Sequence, residues 1–145
     1  MKWIGFQLIF GLLTLLASIT AQADIAVITS LDSPVSTLTP REVEKIFLGR
    51  LRMFPNSDQE TLAIDLPDND PLFVAFYKTI ANLDPSKLKR YRAYYLFSGK
   101  GRLPISVDNE SALIQRVRQN PSAIGYIDSA AVTDEVKVVL IIPTQ

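Results

Sequence analysis

Thr39-Pro40, Asp70-Pro71 and Asp84-Pro85 each set a residue suited to capping a helix directly before proline, at the head of an amphipathic run. Proline has no backbone N–H and a φ already near the helical value, so it fits the first turn of a helix and disrupts the interior. Each pair therefore predicts a helix start. After the first, Glu42 completes a capping box with Thr39, Val43, Ile46 and Phe47 form an apolar stripe, and Gly49 can end the helix in the left-handed conformation. Leu72, Phe73, Phe76, Tyr77 and Ile80 share one face of the second helix. Leu88, Tyr91 and Tyr95 do so in the third, which Ser98-Gly99 ends. Beyond a loop with Pro104, Ala112, Leu113, Ile114 and Val117 indicate a fourth helix, stopped by Asn120-Pro121.

Between these helices lie short apolar runs that read as strands: Ala26 to Thr29, Leu62 to Leu66, Ala123 to Ile127 and Val136 to Ile142. The order β-α-β-α-α-α-β-β predicts an α/β fold with a small mixed sheet flanked by helices. Parallel pairing is expected where a helix separates two strands.

The N-terminus carries a different signal. Lys2 precedes an uncharged run from Trp3 to Ile19, and Ala21-Gln22-Ala23 places small residues where a signal peptidase reads. Residues 1–23 are therefore expected to be a signal peptide cleaved after Ala23, leaving a periplasmic domain over 24–145. Removing Lys2 leaves 14 basic residues against 15 acidic ones. That balance argues against a nucleic-acid partner. The chain has no cysteine and no histidine, which excludes disulfides, thiol nucleophiles and imidazole chemistry. No cofactor is expected, and no metal.

Three segments carry a resemblance. Leu38-Thr39-Pro40-Arg41-Glu42-Val43 running into Ile46-Phe47-Leu48-Gly49-Arg50 is the first. Phe97-Ser98-Gly99-Lys100-Gly101 with Pro104 is the second, and Asn120-Pro121-Ser122-Ala123-Ile124-Gly125-Tyr126 the third. In this order they resemble segments of the phosphate-binding proteins of ABC importers. The resemblance implies a periplasmic-binding-protein-like fold, with residues enough for one of the two lobes that close on the anion in full members. It also implies a phosphate-binding turn after the second strand, of the form Arg-x-x-Gly-Ser-Gly-Thr. Here that place reads Asp65-Leu66-Pro67-Asp68-Asn69-Asp70-Pro71. Asp70 would occupy the free N–H groups as a cap, and Asp65 and Asp68 would repel a phosphate.

The segment from Lys87 to Arg102 contains six cations and no acid, interleaved with Tyr91, Tyr94, Tyr95 and Phe97. It is either a solvated helix face with cations at the C-terminal dipole or part of an anion site. As a site, it would comprise Ser98, Gly99, Lys100, Gly101 and Arg102, joined by Thr29 and Ser30 at the end of the first strand. The trio Asp65, Asp68 and Asp70 reads equally as turn chemistry or as calcium ligands. A Ser98–Lys100 dyad would need a buried lysine, so no enzyme activity is expected. Two roles follow. One is solute binding, of phosphate or another small oxyanion, weakly or only as an assembly such as a homodimer. The other is a ligand-free adaptor docking on a membrane sensor, importer or porin.

Overall fold

A computed structural model describes residues 23–144; the expected signal peptide, apart from Ala23, lies outside them. The strands are β1 (Ile25–Thr29), β2 (Leu62–Asp65), β3 (Ile105–Ser106), β4 (Ala123–Asp128) and β5 (Lys137–Ile142). The helices are α1 (Pro40–Phe47), α2 (Pro71–Ala81), α3 (Pro85–Phe97) and α4 (Glu110–Arg118). All three capped prolines begin helices. The Thr39 hydroxyl accepts from the Glu42 N–H while the Glu42 carboxylate accepts from the Thr39 N–H, at 3.2 and 2.8 Å. Asp70 and Asp84 accept from Leu72 and Lys87 N–H groups, each at 2.8 Å.

The strands form one mixed sheet in the order β3-β2-β4-β1-β5. β2 runs parallel to both β3 and β4, as expected for strands separated by helices. The expectation fails for β1 and β2. Although α1 lies between them in sequence, β4 inserts between them in space and runs antiparallel to β1. β5 joins the other side of β1, so Ile25 stands opposite Ile142. Burial explains the choice: every residue of β1 and the first five of β4 are buried, and such strands belong at the centre of a sheet. β3, absent from the expected order, is two residues long and too short to show a period.

Alternation along β4 sets the two layers. A Cβ at Gly125 would fall 2.5 Å from the Leu113 side chain, so α4 packs tightly on that face. Tyr126 points to the other face, where its ring lies parallel to Phe76 of α2 at 3.9 Å and edge-on to Phe47 of α1 at 5.6 Å.

Gly49 follows the end of α1 with φ +77°, and a Cβ there would stand 3.0 Å from the Arg102 carbonyl oxygen. Gly49→Val is expected to destabilise the fold by about 1–3 kcal/mol in urea denaturation. An unchanged midpoint would show that this turn carries no constraint.

Candidate functional site

The apolar run of β2 ends in a carboxylate. Asp65 is only 2% exposed, so it must find its partners inside the protein. Three elements provide them. The Tyr77 hydroxyl, from α2, donates to Asp65 at 2.9 Å, and the Tyr126 hydroxyl, from β4, donates at 3.0 Å. Arg92 reaches in from α3, with Nη2 2.7 Å from Asp65 Oδ2 and 2.6 Å from the Tyr77 oxygen. The Leu66 N–H in turn donates to the Tyr126 oxygen at 3.3 Å. The guanidinium lies over the Tyr77 and Phe73 rings, 5.1 and 5.8 Å from their centroids.

Burial pushes the Asp65 carboxyl above the usual carboxylate range; Arg92 and the two hydroxyls offset this in part. Burial and then the neighbouring Asp65 raise both tyrosines, so each hydroxyl keeps its proton and remains a donor. Arg92 Nε is buried without a hydrogen-bond partner among the described residues. The cluster is thus an oxyanion held by a guanidinium and two hydroxyls, with the oxyanion supplied by the chain itself.

The residues expected to bind an anion lie elsewhere. Thr29 and Ser30 are buried, with the Thr29 hydroxyl donating to the Ser30 carbonyl at 3.3 Å and Ser30 Oγ accepting from the Asp32 N–H at 3.2 Å. Because β1 is antiparallel to β4, they sit toward the opposite end of the sheet from Asp65. The Ser98–Arg102 loop leads into β3, so β2 and β4 stand between it and β1. The structure does not bring the two groups together. Within the loop, Ser98 donates to the Tyr95 carbonyl at 2.8 Å and Gly99 is left-handed. The Lys100 carbonyl accepts from Arg52, and Gly101 lies against the Tyr95 ring. Arg102 pairs with Glu60 at 3.1 Å, both side chains half exposed. The hollow beside Arg102, lined also by Gly49, Arg52, Thr61 and Pro104, has about 20 Å³. That admits a water and excludes a phosphate.

The aspartate trio is likewise divided: Asp65 is buried, Asp70 caps α2 and Asp68 is exposed. Sequence reasoning missed Arg92, Tyr77 and Tyr126 as a unit. The sequence sets Arg92 in the basic segment, Tyr77 on the apolar face of the second helix and Tyr126 in an apolar strand.

No protein-family model and no curated protein sequence matches the chain. Solved structures do. An ABC-type phosphate transport receptor from Vibrio cholerae superposes with a TM-score of 0.65 at 16% identity, over 81% of this chain and 45% of the receptor. A Clostridium perfringens protein described as a phosphate ABC transporter substrate-binding protein, solved with bound phosphate, gives 0.65 at 21% identity, over 81% and 44%. PstS from Borrelia burgdorferi gives 0.64 at 15%, over 81% and 46%. The fold is that of one periplasmic-binding-protein-like lobe. The chain spans less than half the length of these neighbours. In this lobe the turn that the resemblance assigns to phosphate begins at Asp65, whose carboxylate faces inward onto Arg92 and two tyrosines.

Asp65→Ala strips three donors of their acceptor and is expected to destabilise the lobe by about 2–4 kcal/mol. The raised carboxyl of the folded state sets the pH dependence. Wild type is favoured below the ordinary value of 3.8 and loses that advantage as pH rises through the raised one. The gap between wild type and Asp65→Ala in urea denaturation should therefore be widest in acid and narrow upward. A gap that widens with pH would contradict this.

Proposed function

We propose that this chain is a non-catalytic docking module of the periplasm, built on a receptor lobe and acting on a membrane sensor, importer or porin. The observation that carries this reading is the Asp65 cluster. A lobe that captures phosphate must leave its cation and hydroxyls open to the solute, and here Asp65 consumes Arg92, Tyr77 and Tyr126. Two further facts support it. The described residues form one lobe, and the match covers less than half of each neighbour. Those neighbours are transport receptors rather than enzymes, which supports a binding role without catalysis.

A second reading rests on the Ser98–Arg102 loop, where Lys100 and Arg102 are exposed. Phosphate or another small oxyanion would bind there weakly, because exposed charge pairs contribute only about 0–1 kcal/mol each. Tighter binding would need a second surface, from another copy or from a transporter, and Arg102 would have to release Glu60.

Calorimetry at low salt separates the two. The docking reading predicts no heat from phosphate up to millimolar concentration, together with a defined adduct when the protein is crosslinked in intact cells. Saturable micromolar binding that Arg102→Ala abolishes would overturn it in favour of the loop site.

A further inference from the structure

The outer side of α3 is unlike the rest of the surface. Its inner side is fully engaged: Leu88 is buried, Tyr91 donates to the Leu48 carbonyl at 2.9 Å, Arg92 meets Asp65, and Tyr95 stacks on Tyr91 at 5.2 Å. Its outer side ends in three apolar residues with no cover, Tyr94 at 73% exposure, Leu96 at 57% and Phe97 at 93%. At 100° per residue these spread over about 160° of the helix circumference. They form a convex knob rather than a stripe. The turn beyond them is open, with nothing within 4 Å of where a Cβ on Gly99 would lie.

Cations repeat this arrangement two turns earlier. Lys87, Lys89 and Arg90 precede Tyr94, Leu96 and Phe97 by seven residues each, which places them on the same faces about 10 Å back along the axis. Lys100 adds a fourth cation just past the knob. None of these four takes part in an ion pair among the described residues, whereas Arg92 and Arg102 are both paired. No acidic residue occurs from Pro85 to Val107.

We propose that the exposed end of α3 enters the headgroup region of an anionic lipid bilayer, with Leu96 and Phe97 reaching the acyl boundary and Lys87, Lys89 and Arg90 at the level of the phosphates. The spacing fits: interfacial segments bury their apolar side chains by about 5–10 Å, the distance that separates the knob from its collar. The convex shape favours lipid over a protein surface, because a fluid layer closes around a knob whose side chains point several ways. A folded partner presents a fixed groove. Charge favours an anionic surface, since each cation near one strengthens binding about fivefold. This inference rests on the docking reading and names the surface that holds the lobe at the membrane.

The test uses the full chain with vesicles of phosphatidylcholine, with and without phosphatidylglycerol. The N-terminal apolar segment is common to every variant, so differences between variants report on α3. Sedimentation should show at least tenfold tighter binding to the anionic vesicles. Phe97→Ser should lose about tenfold of that binding, and Lys87→Glu with Arg90→Glu more than twentyfold, with melting temperatures unchanged. Phe97→Trp should add a blue-shifted emission on vesicles beyond that of Trp3. Equal binding to both vesicle types, variants that bind like wild type, or no blue shift would overturn the proposal. A protein crosslink at Phe97 without vesicle binding would also overturn it while leaving the docking reading intact; micromolar phosphate binding would strike only the docking reading.

Discussion

One buried carboxylate ties the lobe together. Asp65 closes β2, and its partners come from α2, α3 and β4, at sequence separations of 12, 27 and 61 residues. A carboxylate inside an apolar layer is costly unless donors surround it, and here the donors are themselves held rigidly. Tyr126 is clamped by its parallel contact with Phe76, Tyr77 packs edge-on to Phe47, and Arg92 lies over Phe73. The aromatic core thus positions the polar ring, and the polar ring fixes how α2 and α3 sit on the sheet.

The helices were legible in the sequence because capping is local: a side chain, a proline and a few N–H groups within one turn decide each start. Sheet order was not, because β4 must travel most of the chain to insert between β1 and β2, and no local signal marks such a partner. The site lay between these extremes. Asp65 stands between Ile64 and Leu66 in an apolar run, and a lone acid there calls for an internal cation. Arg92 follows Leu88 by four residues, on the buried side of α3. Both signals were present. The nearby Asp68 and Asp70 gave Asp65 the look of turn chemistry, and the five other cations of the basic segment gave Arg92 the look of a solvated charge.

The two sides of α3 express the functional logic. Its inner side closes the place where a receptor lobe would present donors to a solute. Its outer side leaves an apolar knob and unpaired cations facing away from the body. A lobe sealed within, with an apolar knob and cations outside, is suited to the surface recognition proposed above.

The central claim is that Asp65 occupies an anion position made by Arg92, Tyr77 and Tyr126. Formate is the group that Asp65→Ala removes, returned as a free ligand. The account predicts that millimolar formate at mildly acidic pH raises the melting temperature of Asp65→Ala by several degrees and leaves wild type unmoved. No shift in the variant, or an equal shift in both proteins, would contradict it.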